Sequence, residues 1–479
     1  MITSPLHKTL STLLLPTDQT RDPIGERSTS KGRLLVLSYR FPPESYPLAV
    51  SLKGVIDALR KTWTIDVVTA AEDAYSPPNV TTHHVPARSI SGMRRVLSAV
   101  RLDKLADLLT WPDPFWPWIW PALRTSLQVI EARRPDAILA FTMPFSTGIL
   151  GTLLKAHTDL PLIINFDDSP TCSDMNPVYP SRLHFELARR MEDTFVRRAD
   201  RVVYVSEENR TRVAARQPES ERSKFELVRC SATSRALTVT PLAPPKAPYR
   251  IVYTGAMNGW YALDPAPLSI PKRAFQTWKS FGTYTHTRLD RRSHSPVFLG
   301  AAIRRVCALH PEWTGKIQLD VYGNTYPSAL VERVLAIHGL KDIVRIHDRV
   351  APENVPALTQ SAHLLFLTLP DRVDGTPGGR ISLKTYEYLM TDRPILAAVP
   401  PGENRTFLQE QPGVFLTAPT DVEAMSTAIE QLAGEHFSGK LRTVPRNALQ
   451  RLVSATARAE SLSRILDDVI RSKAPSAAT

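Results

Sequence analysis

Apolar residues fall into short continuous runs that alternate with stretches where apolar residues recur every three or four positions. The first unit has a run at 34–38, helical spacing between 52 and 59, and a second run at 65–69. Such runs are typical of strands buried on both faces, so the alternation predicts βαβ units with parallel strands. Further strands are predicted in this half of the chain at 137–141, 162–166, 202–206 and 225–229.

The alternation resumes after a proline-rich stretch. Residues 241–248, PLAPPKAP, hold four prolines in eight positions, which predicts a stiff, extended linker. Beyond it, strands are predicted at 251–255, 317–322, 343–346, 364–367, 395–399 and 414–416.

The pattern therefore predicts an α/β protein with two similar domains. We expect a disordered leader at 1–32, Rossmann-like domains at 33–240 and 249–445 on either side of the linker, and a final helix at 446–472. This helix is long enough to cross back to the first domain.

Composition and charge narrow the class of protein. A chain of 479 residues is expected to form two or three domains. Its net charge of +12 suits an anionic partner, such as a nucleotide, a nucleic acid or an acidic lipid headgroup. Cys172, Cys230 and Cys307 are too few and too far apart for a disulfide framework or a CxxC metal site. We therefore expect a cytoplasmic protein that holds no metal.

The segment 371–394, DRVDGTPGGRISLKTYEYLMTDRP, is the strongest candidate for chemistry. Gly378 and Gly379 allow close approach, Ser382 is placed to cap a helix, and Lys384 and Glu387 follow on one face of that helix. Free N–H groups and the lysine suit a diphosphate, and Glu387 could accept hydrogen bonds from a ribose diol. The alternative is a solvated Lys–Glu pair beside an ordinary loop.

Two strand ends in the first half carry candidate acceptor-side residues. Arg40 and Glu44 follow the first strand, where open α/β sheets bind ligands; a proline-rigidified loop with an incidental ion pair is the alternative. Asp167 and Asp168 follow another strand and could orient hydroxyl groups, bind a divalent cation or cap a helix. No third ligand is identifiable, which disfavours the cation.

Three further segments bear on a membrane. Residues 137–154 lack charge but contain turn and small residues, which favours a strand, a turn and a helix start over a spanning helix. A basic amphipathic helix at 182–201 and a tryptophan-rich run at 111–120 suit an anionic membrane surface. A solvated helix and a packed loop are the alternatives. Residues 270–294 are interpreted as an insertion with a basic face.

Several enzyme classes lack their motifs. The chain has no GxxxxGK[ST] loop, HExxH, GxSxG elbow or GxGxxG, and no zinc-finger or RNA-recognition signature. Five blocks occur in order instead: GRLLVLSYRFPPES, RRPDAILAFTMPFSTGILGTLLKA with LPLIINFDD, RRMEDTFVRRADRVVYVSEENR, RIVYTGAMNGWY and ISLKTYEYLMTDRPILA. Over residues 33–435 they resemble family-4 glycosyltransferases of the GT-B fold, in particular the bacterial polysaccharide-biosynthesis members.

The resemblance implies a GT-B fold, in which two Rossmann-like domains face a central cleft and the C-terminal helix crosses back. It also implies a retaining hexosyl-type transfer from a UDP- or GDP-linked sugar to a glycan or lipid-linked acceptor, with no metal or other cofactor. Lys384 would neutralise the donor diphosphate and Glu387 would hold the ribose. The donor side would comprise Gly255, Asn258, Val350, Gly378, Gly379, Arg380, Ser382, Lys384 and Glu387, and the acceptor side Arg40, Glu44, Asp167 and Asp168.

Two departures from the family pattern keep alternatives open. Gly379 stands where many members have the first of two glutamates, and no Arg or Lys closely follows Gly255. A non-catalytic GT-B partner subunit and a sugar-nucleotide epimerase of the same fold are therefore the alternatives. The basic helix adds the hypothesis of a peripheral protein at the inner face of the membrane. A nucleic-acid partner explains the charge but none of the blocks.

Overall fold

The computed structural model describes residues 30–44, 46–172, 174, 178–233, 248–265, 270–378, 381–440 and 442–473. Most of the predicted leader, the linker up to residue 247, and the candidate donor residues Gly379 and Arg380 lie outside these ranges.

The first half of the chain forms a seven-stranded parallel sheet in the order β3-β2-β1-β4-β5-β7-β8. Its strands are β1 Arg33–Leu37, β2 Thr64–Thr69, β3 Val80–His84, β4 Ala137–Phe141, β5 Leu162–Phe166, β7 Arg201–Tyr204 and β8 Phe225–Leu227. A short strand, β6 Val178–Tyr179, lies outside this sheet. The helices of this half are α1 Pro47–Leu59, α2 Ser91–Ala99, α3 Asp103–Leu109, α4 Ile119–Arg133, α5 Ser146–His157, α6 Arg182–Arg198, α7 Glu207–Ala215 and α8 Glu219–Arg222.

The second half forms a six-stranded parallel sheet in the order β13-β12-β9-β14-β16-β17. Its strands are β9 Tyr249–Thr254, β12 Ile317–Tyr322, β13 Val344–His347, β14 Leu364–Thr368, β16 Ile395–Ala398 and β17 Val414–Thr417. The remaining strands are β10 Tyr284–Thr285, β11 Leu289–Asp290 and β15 Asp371–Arg372. The helices are α9 Trp260–Leu263, α10 Ile270–Ser280, α11 Val297–Leu309, α12 Ser328–Ile337, α13 Val355–Gln360, α14 Leu383–Leu389, α15 Glu403–Gln409, α16 Val422–Phe437, α17 Asn447–Leu452 and α18 Ala455–Lys473.

Both sheets are buried on their two faces, as the continuous apolar runs predict. The side chains of β4 and β14, for example, are buried at every position. The strand order reverses between β1 and β4 in the first sheet and between β9 and β14 in the second. In open α/β sheets a ligand crevice forms at such a reversal, beyond the carboxyl ends of the strands. The candidate residues from both halves lie at these ends.

Two short antiparallel pairings supplement the main sheets. β10 of the second half pairs with β6 of the first, Tyr284 opposite Tyr179, and β11 pairs with β15. The segment 270–294, predicted to be an insertion, therefore reaches across to the first half of the chain through β10.

The C-terminal region crosses back, but as two helices. The sequence predicts one helix over 446–472, whereas α17 ends at Leu452 and α18 starts at Ala455. Leu452, the last residue of α17, is 69% exposed. α18 packs on α1, and the Trp63 indole N–H donates to Ser463 Oγ at 2.9 Å.

The α/β class, the two parallel sheets and all the predicted strands are confirmed, with ends that differ from the predicted ones by at most two residues. Residues 137–154 form β4, a turn and most of α5, as predicted. None of the described helices is long and apolar enough to cross a bilayer. The sheets use residues within 33–240 and 249–445, whose outer limits stay predictions.

Candidate functional site

The carboxyl end of β9 brings together two of the predicted donor residues. Gly255 directly follows this strand and has φ 112°. A Cβ atom placed on it would lie 2.5 Å from Lys384 Cε and 3.0 Å from Lys384 Nζ. The Lys384 ammonium also lies 5.3 Å from the centre of the Tyr253 ring. The lysine therefore lies directly across the backbone of Gly255, which must lack a side chain for this approach.

Local contacts of α14 hold Lys384 in this position. Ser382 caps the helix as predicted, its Oγ accepting a hydrogen bond from Thr385 N at 3.4 Å. One turn further, the Tyr388 hydroxyl accepts from Thr254 N at 2.9 Å, which ties α14 to the end of β9. Burial raises the pKa of Tyr388 to about 12, so the phenol stays neutral at physiological pH.

The loops after β9, β12 and β13 meet beside Gly255. Gly323, with φ 103°, lies so close that its Cβ would be 3.1 Å from Gly255 Cα. Its N–H donates to the carbonyl oxygens of His347 and Asp348. The predicted donor residue Val350 follows in the loop after β13. The sequence analysis missed Gly323, although a glycine directly after a buried strand was a usable signal.

Asn258 links the first two of these loops. Its backbone N–H donates to His294 Nδ1 at 3.3 Å, and its Oδ1 accepts from the Tyr326 hydroxyl at 3.3 Å. Asn258 thus lies at the same edge of the sheet as Gly255, as the resemblance implies.

Glu387, predicted to hold a ribose, contacts the chain that leaves the first half of the protein. Its Oε1 accepts hydrogen bonds from the backbone N–H of Thr233, at 2.6 Å, and from the Thr233 hydroxyl. A ribose diol at this oxygen would compete with Thr233. The role of Glu387 toward ribose stays a prediction.

Gly378 is held against the start of α15. Its carbonyl accepts from Glu403 N at 2.9 Å, and its N–H donates to Pro401 O at 3.0 Å. Gly402 has φ 135°, and a Cβ there would collide with Gly378 O at 2.0 Å. The Gly-rich loop is therefore packed tightly at this point.

On the acceptor side, Arg40 and Glu44 form an ion pair at 2.9 Å. The Arg40 guanidinium also lies over the rings of Tyr46 and Phe115, at 5.2 and 5.3 Å. Burial raises the pKa of Tyr46; Arg40 opposes this rise, and Asp168 and Asp167 add to it. The loops after β1 and β5 therefore lie near each other at one edge of the first sheet.

Asp167 has a structural partner that the sequence analysis did not identify. Its Oδ1 accepts from Arg458 Nη2 at 2.8 Å, and Arg458, on α18, is buried. Asp167 thus anchors the returning C-terminal helix, and its place on the acceptor side stays a prediction. Among the residues described, no group of three or more His, Cys, Asp or Glu side chains could hold a metal ion.

Two charged residues that span the cleft were also missed. Arg372, after β14 and only 3% exposed at its side chain, pairs with Asp174 at 2.7 Å and Glu208 at 3.5 Å. Glu403 reaches from α15 to the start of α7, where its carboxylate accepts from Ser206 Oγ at 2.8 Å and Glu207 N at 3.0 Å. Only coordinates could show these contacts, since the partners lie more than 160 positions apart in sequence.

Comparison with known proteins identifies the family. Residues 48–229 match the family model of the glycosyl transferase 4-like domain, and residues 285–435 match that of the glycosyl transferases group 1. No curated protein sequence matches the chain.

Solved structures agree on the fold. Sucrose-phosphate synthase from Thermosynechococcus elongatus superposes with a TM-score of 0.59 at 12% identity, covering 92% of this chain and 100% of that one. A UDP-forming α,α-trehalose-phosphate synthase from Burkholderia vietnamiensis gives 0.56 at 13% identity, covering 95% and 100%. The E. coli trehalose-6-phosphate structure bound with UDP-2-fluoro glucose gives 0.52 at 13% identity, covering 91% and 98%. The two matched domains together span more than half of the chain, in the order and on the sheets that the sequence predicts, and the protein belongs to the family-4 glycosyltransferases of GT-B fold.

Proposed function

We propose that this glycosyltransferase moves a sugar, with retention of configuration, from a UDP- or GDP-linked donor to a glycan or lipid-linked acceptor in polysaccharide or cell-surface glycan biosynthesis. The position of Lys384 across Gly255 carries the proposal, because it puts a cation at the strand end where a donor diphosphate would lie. The UDP-sugar held by the E. coli neighbour supports a nucleotide-sugar donor.

The chemistry requires charge to be stabilised on the leaving group. As the bond from the sugar C1 to the diphosphate oxygen breaks, its electron pair stays on the diphosphate and the sugar becomes oxocarbenium-like. The Lys384 ammonium would offset the negative charge that develops there. This stabilisation is large when the cation is already held in position before the reaction. The acceptor hydroxyl then bonds to C1, and its proton passes to an oxygen of the departing diphosphate. No metal or other cofactor is part of this proposal.

The acceptor would bind at the edge formed by the loops after β1 and β5. Arg40, Glu44 and Asp168 lie there with Tyr46, which offers both hydrogen-bonding groups and an aromatic ring to a sugar. The proposal also includes contact of the protein with the cytoplasmic face of an anionic membrane. Trp118 of the tryptophan-rich run is buried and donates to Val85 O at 3.1 Å, so only part of that run is available for such contact.

The donor site is tested by calorimetric titration of UDP, GDP and their sugar conjugates. We expect wild type to bind one nucleotide series and Lys384→Ala to bind it at least tenfold more weakly, about 1.4 kcal/mol. Lys341→Ala is the matched control, since Lys341 is exposed and precedes β13 at the opposite edge of the sheet.

Other outcomes assign the protein to the alternatives. If neither protein binds any nucleotide, the non-catalytic partner subunit replaces the transferase proposal. Interconversion of free nucleotide-sugars without an acceptor, detected by product analysis, would establish an epimerase instead.

A further inference from the structure

A helical hairpin of the first half exposes apolar side chains that globular proteins normally bury. Met93, Val96, Leu97 and Val100, in and just after α2, have the spacing of one helix face, yet α2 has no buried residue. Val96 and Val100 are 65% and 61% exposed. In the adjoining α3, Leu105, Leu108 and Leu109 are exposed in the same way.

A helix from the second half adjoins this hairpin. α10 exposes Trp278, and Phe281 just beyond it is 73% exposed. The Lys104 ammonium donates to the carbonyl of Phe281, and the Arg101 guanidinium lies 5.6 Å from the Phe275 ring. We call α2, α3 and α10, with the residues that join or directly follow them up to Phe281, the amphipathic surface. Helices from both halves of the chain build it.

The net positive charge of this surface indicates what kind of partner would bind to it. Residues 91–109 and 270–281 contain seven Lys and Arg and two acidic residues, a net charge of +5. Basic residues are attracted to a bilayer that contains anionic lipids, and exposed leucine, valine and tryptophan side chains insert at the headgroup level. A symmetric second copy would instead bring two equally positive surfaces together.

A cavity lies between this surface and the loops after β4 and β5. It has a volume of about 980 Å³ and is lined by Lys104 and Trp278 of the amphipathic surface. Phe145 and Pro170, which follow β4 and β5 at the acceptor edge of the first sheet, line it too. An acceptor that is anchored in a membrane could therefore approach the cleft from this side.

We infer that the amphipathic surface docks the protein on an anionic lipid bilayer, with its apolar side chains in the headgroup region and its cations against lipid phosphates. This assignment rests on the proposed function in placing the acceptor in a membrane.

The test is co-sedimentation of the full chain with phosphatidylcholine vesicles, with and without phosphatidylglycerol. We expect binding only to the anionic vesicles, weakened by added salt. Val96→Asp/Val100→Asp and Trp278→Asp/Phe281→Asp should each weaken binding at least tenfold. Leu309→Asp/Ile337→Asp is the matched control with the same change in charge, because both residues are exposed and lie on other helices. It should bind like wild type.

Three results would overturn the assignment. Wild type could fail to bind anionic vesicles, or the two surface variants could bind as well as the control. Wild type could also dimerise without binding lipid, with the dimer dispersed by the surface variants, in which case a second copy covers this surface. Nucleotide titration of the same samples separates the two proposals: vesicle binding without nucleotide binding overturns the proposed transfer and keeps the docking surface, and the reverse result overturns the docking surface and the membrane contact while it keeps the nucleotide-sugar donor.

Discussion

Because Gly255 has no side chain, Lys384 can reach its position in the candidate donor site. We expect Gly255→Ala to lower the affinity for the nucleotide diphosphate about tenfold or more, about 1.4 kcal/mol, because the new methyl group would displace Lys384. The positive φ of this residue adds a destabilisation of about 1–2 kcal/mol. Calorimetric titration and thermal unfolding measure the two effects separately.

Gly315→Ala is the control for backbone strain alone. Gly315 has φ 75° and no atom within 4 Å of a built Cβ, so this variant should lose stability and keep nucleotide affinity. Equal affinity losses in both variants would mean that strain, rather than the displaced lysine, weakens binding.

Among the elements, α7 is stabilised in a way that its own sequence does not show, because a residue of the other half of the chain binds its N-terminus. We expect Glu403→Ala to destabilise the protein by about 1–3 kcal/mol, because Ser206 and the first N–H groups of α7 lose their acceptor and Arg229 loses its ion pair. Thermal unfolding measures the loss. Glu410→Ala, an exposed position at the end of the same helix α15, should change stability by less than about 0.5 kcal/mol. A similar loss in both would rule out this capping role.

How well an element could be predicted follows from how its side chains are buried. Strands such as β4 and β14 are apolar at every position, so the pattern alone identifies them. α10 exposes its apolar residues, and its spacing could not be distinguished from that of a loop. The two-residue strands β6 and β10 exist only because distant segments pair.

The same distinction holds for the candidate site. Lys384 and Gly255 stand next to strong local signals, a capped helix and a strand end, and the structure brings them together. Arg372 and Glu403 owe their positions to partners across the cleft, and nothing in their local sequence marks them.

At the scale of the molecule, the first sheet depends on a helix from the far end of the chain. Leu466 of α18 is fully buried in the core that also contains Leu52 and Trp63. We expect Leu466→Ala to lower the free energy of unfolding by about 2–5 kcal/mol. Urea unfolding followed by tryptophan fluorescence measures the change.

Leu452→Ala serves as the comparison because Leu452 is 69% exposed on the neighbouring α17. It should alter the free energy of unfolding by less than about 0.5 kcal/mol. If Leu466→Ala were equally mild, α18 would be an accessory to the first sheet rather than part of its core.

Because α18 returns to the first half, the chain passes between the two halves twice. Ala232, near the point where the chain leaves the first half, lies beside Val453, near the point where it returns: Ala232 N donates to Val453 O at 2.9 Å. A rotation of the two halves about this contact would move each residue in proportion to its distance from it. Glu387, bound to Thr233 beside this contact, would move little. The pairing of β10 with β6 and the contact of Lys104 with Phe281 join the two halves elsewhere, so the same rotation would pull them apart. A bilayer bound to both parts of the amphipathic surface would therefore hold the two halves together. Attachment to lipid and opening of the cleft would then oppose each other.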